Sequence, residues 1–401
     1  MTADARARPR AVLLAFSPIR RDARVLRQAR CLAGELDVTI VGYGDSGPLA
    51  LDGGDVNAEL VGLRQPGDVT ALGRAASAAR LGLARAAVPG SYERLYWSYP
   101  VYRAAREAIA ELRPSLVIAN DWPAVPAAHH AAQGAGAGLV VDLHEFGPRQ
   151  WDNSWLWRTF RAPLADHVLR SYVSGATPTM TVCPSLARAY RDEYGFEPEV
   201  VYNAPHRSEL AEFRPVDPDR VRLVHHGIAA RERRLESMIE AVAAAGRRFS
   251  LDLMLVETDA AYVAELAVAA ERLAPGRIRI VPPVAPSEIV RRVAEYDVGM
   301  FLLPPTTFNY AHALPNKFFD FVAAGLAVAV GPTPDMAAIA EGHGFGIVSA
   351  GFEPAAMAEA LASQSPAAID DMRRSARRAA SVYNAEAECR KMRKLIGLAA
   401  A

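Results

Sequence analysis

The sequence predicts an α/β protein made of two Rossmann-like halves in tandem. Short apolar runs alternate with longer Ala- and Arg-rich helical segments, the order of strands and crossover helices in a parallel sheet. The 401-residue length exceeds what one compact core usually supports, so two domains are expected. Midway, "VVYNAPHRSELAEFRPVDPDR" breaks the alternation with Pro205, Pro215 and Pro218 and an Asn-Ala-Pro turn, the best boundary between them.

In the first half, the apolar run "AVLLAF" predicts a strand over 11–16, and Asp22 suits the N-cap of a helix over 22–34. Further strands are expected over 38–41, 116–119, 139–142 and 179–183, with helices over 100–112 and 184–194. After the boundary, strands are expected over 222–226, 251–256, 277–281, 298–303 and 327–330. Helices over 235–244, 260–273, 286–296 and 316–324 separate them. The divisions are 1–205, 206–380 and a basic helical tail, 381–401, expected to pack back on the first domain.

Composition narrows the function. Forty-five basic residues balance forty-five acidic ones, leaving no global field to attract a polyanion, so nucleic acid is not an expected partner. The basic start (Arg6, Arg8, Arg10) lacks a following apolar signal core, because 11–16 is too short and reads as a strand. No run approaches the roughly eighteen apolar residues of a spanning helix, and a cytoplasmic protein is expected. Cys31, Cys183 and Cys389 lie far apart, form neither a disulfide framework nor a CxxC signature, and are read as structural. No carboxylate cluster calls for a metal. The segment 71–90, with Arg74, Arg80 and Arg85, is basic and amphipathic; a plain surface helix is favoured over contact with an anionic membrane.

Two glycine-rich stretches invite a dinucleotide reading. "GYGDSG" at 42–47 matches G-x-G-x-x-G after a strand, but Pro48 and "LALDGGDVN" follow, leaving no helix N-terminus for a pyrophosphate. "GAGAG" at 134–138 precedes a strand and reads as a helix C-cap.

The most informative segment is "HALPNKFFDFVAAGLAVAVGP", 312–332. Its loop leaves the carboxyl edge of a parallel sheet, where open α/β sheets bind ligands. Asn316 is expected at the N-cap, Lys317 as the first helical residue and Asp320 one turn on. Free N–H groups, the helix dipole and Lys317 favour a phosphate there, while Asp320 offers a carboxylate to ribose hydroxyls. The alternative is a capped core helix carrying a modest Lys–Asp pair.

"LPNKFFDFVAAGLAVAV" resembles the donor-binding segment of GT-B fold glycosyltransferases, specifically the retaining family four. "SPIRRDARVLRQARCLA", "VVDLHEF" and "VHHGIAARERRLESMIEAV" resemble, in order, other stretches of one subgroup of that family. The resemblance implies two Rossmann-like domains facing across a cleft, with a nucleotide-diphosphate sugar as donor substrate, no resident cofactor, and transfer to a small-molecule or lipid-linked acceptor. It implies that Lys317 and Arg233, or Arg231, neutralise the leaving diphosphate, with Arg234 standing where the family has a glycine. His312 and Asp320 stand at the places of two family glutamates, near the donor sugar and on the ribose. The base is expected against the loop 282–286, at Pro283 and Val284.

In the first half, His144 and Glu145 are the candidates for touching the acceptor hydroxyl or the donor sugar, His144 as a positioning group and not a proven base. Arg20, Arg21 and Asp22 are expected near the cleft, with a helix-capping and a substrate role for Asp22 equally weighted. Trp151 and Trp155, four apart, are expected to share a helix face, and with Trp157 suit either packing or a platform for a sugar or aglycone. The alternatives are a nucleotide-sugar epimerase on the same fold, a non-catalytic nucleotide-sugar-binding subunit, and an NAD-dependent oxidoreductase resting on 42–47 alone.

Overall fold

In the computed structural model, which describes residues 8–51, 57–65, 90–175 and 177–397, the chain forms two compact units, each built on a parallel sheet. The first contains the described residues up to Val201, together with Thr307–Asn309 and the stretch from Cys389. The second contains Tyr202–Thr306 and Tyr310–Glu388. The basic segment carrying Arg74, Arg80 and Arg85 lies outside the described residues.

The first unit carries eight strands: β1 (Arg10–Pro18), β2 (Asp37–Tyr43), β3 (Gly47–Ala50), β4 (Asn57–Leu63), β5 (Leu116–Asn120), β6 (Gly138–Leu143), β7 (Thr179–Thr181) and β8 (Glu199–Val200). Their order is β3-β4-β2-β1-β5-β6-β7-β8, and β3 alone is antiparallel to its neighbour. The central strand β1 is buried from Ala11 to Ala15, as expected of a strand covered on both faces, and Leu13 pairs with Ile40 on one side and Ile118 on the other. Asp22 caps the Ala23–Leu32 helix by accepting from Val25 N–H at 3.1 Å. That helix buries Val25, Ala29 and Leu32, but also Arg24 and Gln28, which are four apart on its inner face.

Of the glycines of "GYGDSG", Gly42 lies in β2, Gly44 in the turn that follows it, and Gly47 opens β3. β2 ends at Tyr43, Gly44 adopts φ 143°, and the chain enters β3 at the sheet edge. A Cβ on Gly62 would lie 2.0 Å from the Gly44 carbonyl oxygen, so this turn is seated tightly on β4. Gly136, at φ 66°, caps the Val125–Ala135 helix, donating to the Ala132 and Gln133 carbonyls.

The Ala385–Leu395 helix contributes Met392 to the first unit's core, and Arg393 pairs with Glu35. Cys31 and Cys389 are joined by a disulfide, with Cα atoms 5.6 Å apart, whereas Cys183 is a buried free thiol. This corrects the expectation that the cysteines form no such pair: 358 residues of sequence separate two positions that packing brings together. In a reducing cytosol the pair would be held as two thiols.

The tryptophan segment also departs from expectation. A 3-10 turn at Gly147–Arg149 and a π-helical turn at Trp157–Arg161 replace a continuous helix, so Trp151 and Trp155 share no helical face. Trp155 is 61% exposed and meets Phe160 edge-on, while Trp157 Nε1 donates to the Pro148 carbonyl at 3.2 Å.

The second unit carries β9 (Val221–Ile228), β10 (Phe249–Val256), β11 (Ile278–Val281), β12 (Val298–Phe301), β13 (Ala327–Val330) and β14 (Gly346–Val348), all parallel, in the order β11-β10-β9-β12-β13-β14. Leu223 of β9 sits between Leu251 and Val298, at the centre of a core that includes Met238, Ile239, Phe249, Leu253 and Met300. The Asn316–Ala323 helix lies so close to β12 that a Cβ on Gly299 would meet the Phe321 ring at 2.1 Å. The helix expected over 286–296 is shorter, a 3-10 turn at Pro286–Glu288 leading into Ile289–Val293.

Candidate active site

In each sheet the chain first adds strands on one side of its opening strand and then crosses to the other. The crossovers fall between β1 and β5 and between β9 and β12, and the carboxyl ends beside such a reversal are where open α/β sheets hold ligands. Polar groups gather at both.

In the second unit the cluster forms around Gly227 near the end of β9. Gly227 has φ 132°, and a Cβ there would lie 2.9 Å from Lys317 Nζ and 3.6 Å from Arg233 Nη1, so glycine lets two basic groups close on the strand end. Lys317 is buried; its Nζ is 3.4 Å from His225 Nε2 and 4.5 Å from the centre of the Phe301 ring. His225 Nδ1 is 3.0 Å from the Met300 carbonyl, which can only accept, so Nδ1 carries the proton and Nε2 offers its lone pair to Lys317. Burial and the nearby Arg233 charge hold the Lys317 amine well below the usual lysine range, against an opposing pull from Asp320. The same burial, with Lys317 beside it, holds His225 neutral. Asp320, one turn along the helix and itself buried, lies 3.4 Å from His226 Nε2.

Two expectations for this unit change, and the place of Arg234 gains a physical reason. Asn316 is not the N-cap: Pro315 occupies that place, and Asn316 Oδ1 instead accepts from Asn203 Nδ2. Arg231 is turned to other partners, contacting Asp259 at 2.9 Å and Glu265 through both terminal nitrogens at 2.7 and 2.8 Å, so of the two arginines Arg233 is the one beside Lys317. Arg234 adopts φ 49° and ψ 54°, the left-handed conformation that glycine takes without cost, which accounts physically for a glycine at that place in the resembling family. His312 lies in the turn after the Phe308–Ala311 helix. Pro283 and Val284 follow β11, two strands from the β9–β12 reversal.

In the first unit a pocket of about 170 Å³ opens at the carboxyl ends of β1, β5 and β6, lined by Ser17, Asp22, Asn120, Asp121, His144 and Glu145 among others. Beneath it, Asp142 is fully buried and held by Arg24 through Nε at 2.7 Å and Nη2 at 2.8 Å, and by Gln28. His144 Nε2 is 3.1 Å from the same Asp142 oxygen that Arg24 Nε meets, and Nδ1 is 3.3 Å from Asp121 Oδ2. Asp121 sits at φ 63°, an uncommon conformation for a residue with a side chain, fixed by its N–H on the Asp142 carbonyl at 2.7 Å and by His144 N–H on its carboxylate at 2.8 Å. Ser17 Oγ donates to Asp22 at 2.5 Å, so the capping role of Asp22 is established while its carboxylate still lines the pocket.

Burial disfavours a charged His144, but the Asp121 and Asp142 carboxylates override it and raise its pKa to about 9. Burial, with Asp121 adding repulsion, lifts Glu145 to about 7. Asn309, whose Oδ1 accepts from Phe146 N–H at 2.9 Å, brings its Nδ2 to 3.4 Å from Glu145. A folded-state pKa above the unfolded value near 6.5 means that His144 stabilises the fold fully below that pH and loses its contribution as pH rises through about 9. Thermal unfolding should therefore show a decline of up to about 3 kcal/mol across that window. A slope unchanged in His144→Gln would exclude His144 as its source.

Among the described residues, no group of three or more His, Cys, Asp or Glu is placed to hold a metal ion, and no helix is long and apolar enough to cross a membrane. The sequence reading missed Arg24, Gln28, Asp121, Asp142 and His225. Its available signals were polar residues on the inner helix face and the imidazole inside the apolar strand "RLVHHGI".

Two doubly wound units, each with polar groups at its strand reversal, define the GT-B class of fold. Residues 22–206 match the model of the glycosyl transferase 4-like domain, and the chain resembles the family-four glycosyltransferases of that class. HepE of Anabaena, solved with UDP and glucose, is 14% identical with a TM-score of 0.69, covering 97% of this chain and 99% of that one. Sucrose-phosphate synthase of Thermosynechococcus elongatus is 16% identical with a TM-score of 0.71, over 97% and 98% of the two chains. The α,α-trehalose-phosphate synthase of Burkholderia xenovorans, solved with glucose-6-phosphate, is 14% identical with a TM-score of 0.65, over 98% and 100%. At such identities the likeness is one of fold. No curated protein matches the sequence.

Proposed function

We propose that the protein is a retaining glycosyltransferase that moves a sugar from a UDP-sugar to an acceptor hydroxyl. The observation that carries this reading is the convergence of Lys317 and Arg233 on Gly227, with Asp320 one turn away. Two basic groups beside a strand reversal suit a diphosphate, and a buried carboxylate at that distance suits ribose hydroxyls. HepE of Anabaena, alike in fold along nearly its whole length, has been solved with UDP-glucose.

In the proposed reaction the bond from sugar C1 to the diphosphate oxygen breaks, its electron pair leaving with UDP, and a bond forms from C1 to the acceptor oxygen. The acceptor proton passes to the departing diphosphate, and the sugar keeps its anomeric configuration. Lys317 and Arg233 stabilise the charge that develops on the leaving group without a metal being required for that role. His312 contributes to holding the donor sugar, Pro283 and Val284 lie against the base, and His144 and Glu145 position the acceptor or the transferred sugar. Arg231, engaged with Asp259 and Glu265, supports the fold around the site and does not meet the phosphate. The donor is a substrate and no resident cofactor takes part.

The test is UDP-glucose incubated with a panel of acceptors, the products being separated and their anomeric configuration assigned. Transfer with inversion would overturn the stereochemical claim, and an epimerised sugar formed from donor alone would overturn the transferase. Asp320→Asn should weaken UDP binding by about tenfold, as expected for loss of a charged hydrogen bond to ribose, with little change for pyrophosphate. Unchanged UDP affinity would remove Asp320 from the ribose.

A further inference from the structure

Given that reading, the first unit's pocket discloses the chemistry of its acceptor. Cavities of roughly 150 Å³ hold a six-membered ring, and this one, at about 170 Å³, has room for one sugar-sized molecule. Its lining carries three carboxylates, Asp22, Asp121 and Glu145, but His144 is the only basic side chain among the described residues that line it. Arg24 cannot redress that balance, because both arms of its fork are spent on Asp142 below the pocket. Arg20 and Arg21 precede Asp22 but are exposed and do not line the space.

Two buried polar atoms of lining residues have no partner in the protein. Asn120 Oδ1 is an acceptor without a donor, although its Nδ2 donates to the Leu14 carbonyl at 3.3 Å; Trp122 Nε1 is a donor without an acceptor. Both side chains are more than nine-tenths buried, at 4% and 5% exposure, where a polar atom left unmade is costly. An acceptor and a donor together suit the hydroxyls of a polyol, each of which can give and take a hydrogen bond.

We propose that this pocket takes a polyhydroxylated acceptor bearing an ammonium group, an amino sugar or an aminocyclitol, in preference to neutral or phosphorylated sugars. The ammonium meets Glu145 and Asp121, and the ring hydroxyls meet Asn120, Trp122 and Gln150. Burial first, and then repulsion from Asp121, raises Glu145 toward neutrality, and the repulsive part is relieved when a cation sits between the two carboxylates. A phosphorylated sugar meets the same carboxylates as like charges and is rejected.

The test titrates glucosamine, glucose and glucose 6-phosphate into the full chain at neutral pH by calorimetry, with UDP binding and UDP release from UDP-glucose measured in parallel. Glucosamine is expected to bind at least about tenfold more tightly than glucose, and glucose 6-phosphate more weakly than either. Glu145→Gln should reduce the glucosamine advantage to about threefold or less while leaving UDP affinity and melting temperature in place, which shows that the variant is folded. Equal binding of glucosamine and glucose, tighter binding of glucose 6-phosphate, no binding by any of the three, or a preference intact in Glu145→Gln each overturns the proposal. Absence of UDP binding and release, with the glucosamine preference present, overturns the transferase reading alone.

Discussion

Lys317→Met is expected to weaken UDP binding by about a hundredfold while changing uridine affinity by less than about threefold, because a charged hydrogen bond to phosphate is worth about 1.5–3 kcal/mol and uridine has no phosphate. Calorimetric titration of both ligands measures this directly. Equal loss for the two would remove Lys317 from the diphosphate. The amine is buried against His225 and Phe301 with Arg233 near, surroundings that favour its uncharged form. A bound diphosphate reverses that preference, so binding should draw in a proton from solution, seen as a dependence of binding enthalpy on the buffer's ionisation enthalpy. The sign follows: affinity falls as pH rises, since the proton becomes harder to supply. Met preserves the length and apolar contacts of the side chain, and the amine it replaces is favoured uncharged without ligand, so the melting temperature without ligand should hold.

Arg24→Met should produce the largest loss of stability. Asp142 has no exposure to solvent, and Arg24 is its bidentate partner. Removing one member of a buried pair costs about 3–5 kcal/mol, because the remaining charge stays desolvated. For a domain of this size that lowers the melting temperature by roughly 10 °C. Adding Asp142→Asn to Arg24→Met should recover part of the loss by removing the stranded charge, and failure to do so would mean that packing and not electrostatics dominates. Burial alone would raise the Asp142 pKa, but Arg24 and His144 hold it well below the usual carboxylate range. A depressed carboxylate contributes stability above its unfolded pKa and loses it as pH falls through the folded value. The stability gap between wild type and Arg24→Met should therefore narrow in acid.

The parts of this architecture that rest on local chemistry were readable from the chain. Pro100 and Pro184 open helices whose observed bounds are those expected, and Gly195 ends the second of them at φ 76°. The run 327–330 is a strand of those bounds, because four apolar residues follow a helix that Gly325 closes at φ 70°. The placement of Lys317 and Asp320 on the Asn316–Ala323 helix was legible from the apolar run that carries them, and both are buried there, where an isolated polar group is costly. Asn316 was misread since capping preference is local, whereas its actual partner, Asn203, lies 113 residues away. Arg24 and Asp142 met the same obstacle at a separation of 118. Two polar side chains four apart on a buried helix face, Arg24 and Gln28, were nevertheless a signal that a buried carboxylate awaited them. The antiparallel β3 was not legible, because "GYGDSG" was weighed only as a phosphate loop and set aside; Gly44 sits in the turn that leads into β3, and Gly62 of β4 leaves room for its carbonyl.

The bond between Cys31 and Cys389 makes most of the chain a closed ring. A single proteolytic cut anywhere between those two residues, including the proline-rich stretch near Pro215 and Pro218, leaves fragments that are still covalently one molecule. Oxidised, nicked protein should migrate as one band in a denaturing gel until a reductant is added, and as two thereafter. Neither half of the sequence holds the whole of the first unit, whose core includes Met392 from beyond the second, so a clean separation into independently folding halves is not available at any one peptide bond.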